Sequence, residues 1–211
     1  MENNKAFIYI SNKDYDGTVY ITQILEWLHE FKKYGLKFNL IQAFHVKSLR
    51  NRGEIKKQLT EIQNRTDLFS GYTYFFPSKG FGAYVNSILI FVLLFKYFMR
   101  KQEVLIFSRA LLGREIEILK RITSNRISFI FDARAASAEE NKYSALREGD
   151  FSKKRDQIIA NIYRLEYETI TIADKVFTVS NGLRDYFINT FAAQNDKFVI
   201  YPCLADETKF Y

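Results

Sequence analysis

Two arginines and one aspartate stand directly after two apolar runs in the middle of the chain. Arg109 follows residues 104–107 with one serine between, and Asp132 and Arg134 follow residues 127–131. If these runs are neighbouring parallel strands, their carboxyl ends meet at the sheet edge where open α/β sheets bind ligands. Guanidinium groups suit phosphates and sugar hydroxyl groups. The pattern predicts a substrate-binding cluster; the alternative is that Asp132 only pairs with an arginine as a structural ion pair.

Two further segments end apolar runs with polar residues. After residues 6–10, Asp14, Asp16, Gly17 and Thr18 open a helical pattern, and we expect all four to contact substrate. A glycine permits close backbone approach and a helix N-terminus attracts anions, but the two carboxylates suit helix capping equally well.

Ser180 follows residues 175–179, the sixth apolar run. Its hydroxyl is a candidate for substrate binding or for capping the next helix.

Several other kinds of site find no support. His29 and His45 have no partners at metal-ligand spacing, and Cys203 is the single cysteine. The chain lacks G-x-G-x-x-G and G-x-S-x-G, so neither the dinucleotide fingerprint nor the nucleophile elbow is present. We therefore predict no metal and no cofactor, and we assign no catalytic residue.

Strand and helix patterns alternate from end to end. Seven apolar runs read as strands: residues 6–10, 38–44, 72–76, 104–107, 127–131, 175–179 and 198–201. Helical patterns cover residues 18–34, with Gly35 as the expected C-terminal residue, 48–66, 86–100, 111–123, 152–172 and 183–191, whereas 135–149 reads as irregular or partly helical. Because the strands are continuously apolar, they predict an α/β fold, a Rossmann-like, doubly wound and mostly parallel sheet of about seven strands.

Composition fits one sizeable domain that is basic, either because it has an anionic partner or without any special partner. Hydrophobic residues make up 47% of the 211, and 31 Lys and Arg against 24 Asp and Glu give a net charge of +7. Phosphate esters, membrane headgroups and nucleic acid are all anionic, but the basic residues form no compact basic–aromatic motif, so we expect no nucleic acid. The lone Cys203 and the lack of a signal-peptide pattern lead us to expect a cytoplasmic location.

The apolar segment at residues 88–95 is the candidate for membrane contact. A membrane span needs about 20 apolar residues, so this segment predicts a buried helix. The alternative is a peripheral helix that faces the inner side of the membrane.

The end of the chain resembles that of the N-terminal domain in family 4 glycosyltransferases. That family has the recurring motif "AD-x-V-x-x-V-S … I-P … V-D-x-x-x-F". The corresponding residues of this chain are Ala173-Asp174, Val176, Val179-Ser180, Tyr201-Pro202, Ala205-Asp206 and Phe210. Asp132-Ala133-Arg134 with Glu139-Glu140 is similar to the "D-x-R-G … D/E-E" phrase of a bacterial branch, with Ala135 in place of the glycine. Glu166 matches the family glutamate that precedes Ala-Asp by seven residues.

The resemblance implies a GT-B enzyme in which one domain binds the acceptor and the other binds the donor. Residues 1–202 would form the Rossmann-like acceptor-side domain, and 203–211 would begin the interdomain linker, with the C-terminal donor domain absent from this chain. Glu139 joins the substrate-binding candidates through this match. The implied reaction is retaining and metal-free transfer from a nucleotide-sugar donor to a glycan or lipid-phosphate acceptor in bacterial surface-polysaccharide synthesis. One half of the cleft would be inactive alone, because transfer needs both substrates held together.

A stand-alone flavodoxin-like binding or signalling module is the alternative. It needs no second domain, and flavin binding or phosphorylation of Asp14 or Asp132 would favour it.

Overall fold

The computed structural model describes residues 5–12, 24–77 and 81–201. Its strands are β1 Lys5–Ser11, β2 Phe38–His45, β3 Phe69–Phe75, β4 Glu103–Ser108, β5 Ile127–Ala133, β6 Lys175–Thr178 and β7 Phe198–Ile200. Its α-helices are α1 Glu26–Lys33, α2 Arg52–Arg65, α3 Phe81–Met99, α4 Gly113–Ile122, α5 Ser137–Glu148, α6 Lys153–Ile172 and α7 Asn181–Phe191. Short 3₁₀ turns, Val46–Asn51 and Asn195–Lys197, precede α2 and β7.

The strands form one parallel sheet in the order β3-β2-β1-β4-β5-β6-β7. The chain starts near the middle, winds outward to β3, then returns to β4 and winds the other way. This confirms the Rossmann-like, doubly wound sheet of seven strands. A flavodoxin-like sheet has the order 2-1-3-4-5, so the chain does not have the topology that the alternative hypothesis required.

Each face of the sheet buries its own apolar cluster. On one face, strand residues such as Ile8, Ile106 and Phe129 pack beneath α3, α4, α6 and α7, which contribute Leu94, Ile116, Ile170 and Phe187. On the other face, Tyr9, Leu40 and Phe107 pack beneath α1 and α2, which contribute Trp27, Leu28 and Ile62. Alternate residues of a strand point to opposite faces, so the sequence position of a side chain fixes which helix layer it meets.

Gly113 lets α4 begin in direct contact with α6. A Cβ atom at this position would lie 2.4 Å from the carbonyl carbon of Glu168 and from the backbone nitrogen of Thr169. The Gly113 amide also donates to the Thr169 hydroxyl at 3.1 Å. The two helices therefore meet at a distance that only glycine permits.

Two elements begin earlier than the sequence predicted. β3 starts at Phe69, and α3 starts at Phe81 although the apolar pattern pointed to 86. The apolar pattern of α3 was interrupted by Asn86 and Ser87, which are polar but buried. Asn86 can be buried because its side-chain amide accepts from Phe76 N at 2.8 Å and donates to Phe76 O at 3.0 Å.

The helical patterns of the N-terminal half are confirmed where the structure describes them. Gly35 follows α1 with a φ of +83°, as its predicted role requires. The charged pattern at 48–66 is a 3₁₀ turn followed by α2, rather than one uninterrupted helix.

The segment predicted to be irregular or partly helical contains the regular helix α5. Its buried residues are Ala138 and Ala145, and it packs against α6. An alanine stripe buries little apolar surface and gives only a weak helical period, which is why the pattern was missed.

Replacing Gly113 with Ala should destabilise the protein by about 1–3 kcal/mol, because the new methyl group overlaps the α6 backbone. Gly53→Ala is the matched control, since nothing lies within 4 Å of a Cβ there and alanine favours a helix by up to about 1 kcal/mol. Urea unfolding of both variants measures the difference. Equal stabilities of the two variants would contradict the close α4–α6 contact.

Candidate functional site

Asp132 lies near the end of β5 and holds two arginines. Arg109 Nε donates to its Oδ2 at 2.8 Å, and Arg134 Nε donates to its Oδ1 at 2.6 Å. The side chains are nearly buried, with 2% of Asp132, 4% of Arg109 and 15% of Arg134 exposed. The structure thus brings the three predicted residues together, and the carboxylate pairs with both arginines rather than with one.

Strand register explains why these side chains meet. Ser108 at the end of β4 pairs with Phe131 of β5, so Arg109, the first residue after β4, comes next to Asp132 of β5. Ser108 ends β4 by donating from its hydroxyl to Ile10 O at 3.0 Å and accepting from Ala110 N at 2.9 Å. Arg109 then leaves the sheet at its carboxyl edge, beside Asp132.

Tyr9 of β1 adds a third contact that the sequence did not reveal. Its hydroxyl donates to Asp132 Oδ2 at 3.4 Å, a long hydrogen bond, and its ring stacks on Phe107 with 5.7 Å between centroids. Burial, reinforced by the Asp132 carboxylate, raises the pKa of Tyr9 well above its ordinary value, so the phenol stays a donor. Because side chains alternate along a strand, Ser11 lies on the same face as Tyr9, where it pairs with the buried Gln42. This alternation of polar side chains along β1 was the sequence signal that could have identified Tyr9.

Two guanidinium groups of the cluster share one carboxylate at the carboxyl edge of the sheet. Arg134, the most exposed of the three, also lies over the Tyr201 ring, 5.9 Å from its centroid. Tyr201 is held there because its amide donates to Thr178 O at 2.7 Å. Such an arrangement can bind a phosphate or orient a sugar hydroxyl.

Glu166 supports the loop that carries Arg134. Its Oε1 accepts from Ser137 N at 2.6 Å and from Ala138 N at 3.4 Å, at the N-terminus of α5. The N-cap residue Ala136 has no side-chain oxygen, so a carboxylate from α6 satisfies amides that a capping side chain would otherwise bond. The sequence marked Glu166 only through its family match.

Burial also changes the acidity of Glu166. Its side chain is 1% exposed, and this burial raises the pKa to about 7, although the Ser137 and Ala138 amides favour the charged form. The group therefore titrates near neutral pH.

The structure shows contacts for two of the remaining candidates, and the other four lie outside the described residues. Ser180 caps α7 by accepting from Leu183 N at 3.2 Å, which confirms the capping interpretation and leaves substrate binding a prediction. Glu139 lies in the first turn of α5 and accepts from the Tyr163 hydroxyl, which raises the pKa of Tyr163. The first-loop candidates Asp14, Asp16, Gly17 and Thr18 lie outside the described residues.

Within the described residues, no group of three or more His, Cys, Asp or Glu could hold a metal ion. His45 has a structural role, because its Nδ1 accepts from Lys47 N at 3.1 Å and caps the 3₁₀ turn. The expected absence of a metal stays a prediction.

Comparisons with known proteins show the fold. No protein-family model and no curated protein matches the chain. Among solved structures, a glycosyltransferase from Rickettsia africae ESF-5 is similar, with a TM-score of 0.51 at 14% identity. The likeness covers 96% of this chain and 47% of that one, so this chain spans about half the length of its structural neighbour. The fold is therefore one that a glycosyltransferase also uses.

Asp132→Asn should destabilise the protein by about 3–5 kcal/mol, because two buried guanidinium groups lose their counter-charge. The matched control is Asp67→Asn, whose carboxylate bonds Lys32 at 2.7 Å but is 54% exposed; we expect a loss below about 1 kcal/mol. Urea unfolding at constant pH measures both. A loss at Asp132 as small as that at Asp67 contradicts a buried ion-pair cluster.

Glu166 should make stability fall as pH rises towards 7. Between about 4.3, the pKa of an unfolded glutamate, and about 7, the folded protein keeps a proton that the unfolded chain releases. The contribution of protonated Glu166 to the free energy of unfolding is therefore complete below this pH window and lost above it. Unfolding free energies from about pH 5 to about pH 8 should show this slope in the wild type and a flatter profile in Glu166→Gln.

The control for this titration is Glu54→Gln, which changes an exposed carboxylate in the first turn of α2. Its pH profile should run parallel to that of the wild type. An unchanged slope in Glu166→Gln would show that Glu166 does not titrate in this window.

Proposed function

We propose that this chain is the acceptor-side half of a retaining glycosyltransferase with GT-B architecture. It would serve transfer of a sugar from a nucleotide-sugar donor to a glycan or lipid-linked acceptor. The observation that carries the proposal is the Arg109–Asp132–Arg134 cluster, placed at the ligand-binding edge of a fold that a glycosyltransferase shares.

The three residues have different roles in this proposal. Asp132 fixes both guanidinium groups before substrate arrives, so binding need not order two flexible side chains. Arg134, at 15% exposure, contacts the phosphate or a hydroxyl group of the acceptor. Arg109, at 4% exposure, positions Asp132 and adds positive charge behind the contact.

The second half of the enzyme supplies what this chain lacks in the proposal. Residues 1–202 form the acceptor domain and 203–211 enter the linker, while a C-terminal domain holds most of the nucleotide-sugar. Transfer requires donor and acceptor in a near-attack geometry, so we expect no turnover from this chain alone. The arginine cluster offers positive charge for a phosphate without a metal ion. The proposed setting is cytoplasmic synthesis of a bacterial surface polysaccharide.

Arg134→Ala in the full-length enzyme should raise the acceptor KM about 10- to 100-fold, the loss expected for one hydrogen bond to a charged group. The donor KM should change little, because the proposal places the donor mainly in the other domain. Steady-state kinetics with each substrate varied in turn separates the two effects.

Arg121→Ala is the matched control, since Arg121 is 76% exposed on α4 and pairs only weakly with a neighbour on the same helix. It should leave both KM values unchanged. Unchanged acceptor affinity in Arg134→Ala would remove Arg134 from the acceptor site.

A further inference from the structure

Helix α3 is apolar on the side that no other part of the described structure covers. Its inner side packs on the sheet through Ala83, Ile90 and Leu94, all fully buried. Its outer side presents six large apolar residues that are between 49% and 76% exposed: Phe81, Tyr84, Ile88, Val92, Phe95 and Met99. We call these six the outer face of α3.

The outer face is continuous. Its members follow one another at intervals of three or four residues, which places them along one side of a helix. From Phe81 to Met99 the face is about 27 Å long. Scattered exposed apolar residues are ordinary, but a contiguous apolar patch of this length marks an interaction surface.

The charged residues in the segment that carries the outer face are all basic. Between Asp67 and Glu103 the sequence contains no acidic residue. Lys96, Arg100 and Lys101 are exposed at the C-terminal end of the helix. Aromatic and aliphatic residues flanked by lysine and arginine match the interface of a membrane with anionic headgroups. Lipid phosphates would supply the counter-charges that this segment lacks.

Contacts with the rest of the domain hold one side of α3 in place. By length and composition it is the one helix of the described residues that could cross a membrane. Its inner side, however, is tied to the domain: Asn86 donates to Glu115 Oε1 at 2.9 Å, and Ser87 donates to Glu115 O at 3.2 Å. Only the outer half of α3 is therefore available to lipid.

The outer face begins at the sheet edge that carries the arginine cluster. Asn86, in the second turn of α3, bonds both backbone groups of Phe76, just beyond the carboxyl end of β3. Because all strands are parallel, this is the edge at which β4 and β5 deliver Arg109 and Asp132. Helix α3 covers the face of the sheet opposite to the one on which Tyr9 meets Asp132, so a membrane under α3 would lie across the sheet from the arginine cluster.

We propose that the outer face of α3 docks the protein on the surface of an anionic lipid bilayer. The six side chains enter the headgroup region, and Lys96, Arg100 and Lys101 contact lipid phosphates. This proposal is independent of the proposed function. Binding to the bilayer itself requires no sugar substrate.

The test is co-sedimentation of the chain with vesicles of phosphatidylglycerol and phosphatidylethanolamine, compared with vesicles of phosphatidylcholine alone. The wild type should bind the anionic vesicles and bind less as salt is raised. A double variant, Ile88→Glu with Val92→Glu, should lower the bound fraction about tenfold or more, because two carboxylates enter the face that contacts lipid.

The matched control is Leu146→Glu with Phe151→Glu, which places the same charges at apolar positions that are 57% and 73% exposed away from α3. It should bind vesicles with no more than the loss expected from added negative charge. A second variant, Lys96→Glu with Arg100→Glu, leaves the apolar face intact and should weaken binding to anionic vesicles only. Circular dichroism of each variant confirms that it is folded.

Two results would overturn the proposal: equal loss in the α3 and control variants, or no vesicle binding by the wild type, including a wild type that forms a dimer. In the last case, dissociation of the dimer by the α3 variant would assign the face to a second copy of the chain. Since the assay contains no sugar, its failure leaves the kinetic test of Arg134 standing. Loss of the Arg134 role likewise leaves vesicle binding untouched.

Discussion

The carboxylate of Asp132 is the interaction on which the carboxyl edge of the sheet depends. A charge removed from water is tolerated only when it is paired and hydrogen-bonded, and this one is bonded by arginines from the loops after β4 and β5. Neither loop can move far without leaving a buried charge unpaired. The stability of the domain is thereby coupled to the geometry of its candidate site, and Tyr9 extends that coupling to β1.

Helix α6 fixes the same two loops from behind. Thr169 accepts from the first amide of α4, which follows Arg109, and Glu166 accepts from the first amides of α5, which follow Arg134. Gly113 allows the first of these contacts, since a larger residue would overlap the α6 backbone. One helix thus sets the start of two others, and the arginines are placed by backbone contacts on one side and by a shared carboxylate on the other.

The sequence predicted the parts of this arrangement that follow from periodicity and strand order. Continuous apolar runs identified seven strands, and their carboxyl ends identified Arg109, Asp132 and Arg134. The contact of Tyr9 was not predicted because it depends on strand register, which brings Tyr9 to Asp132, 123 positions later in the sequence. Helix α5 escaped because alanines gave it little apolar period. For residues 88–95 the prediction of a buried helix was wrong on one side, since Ile88, Val92 and Phe95 are exposed. A helix that is apolar all round is interpreted as buried until its neighbours are known, and the membrane-facing helix had been the alternative.

In the proposed function this chain is one half of a two-domain transferase, and the coding sequence beyond the Tyr211 codon tests that proposal most directly. We predict an open reading frame that continues for about the length of another domain, with a second strand–helix alternation and a pair of glutamates separated by seven residues. A stop codon directly after Tyr211 would contradict the account. It would make the chain a lone Rossmann-like domain, whose arginine cluster must then serve binding without transfer.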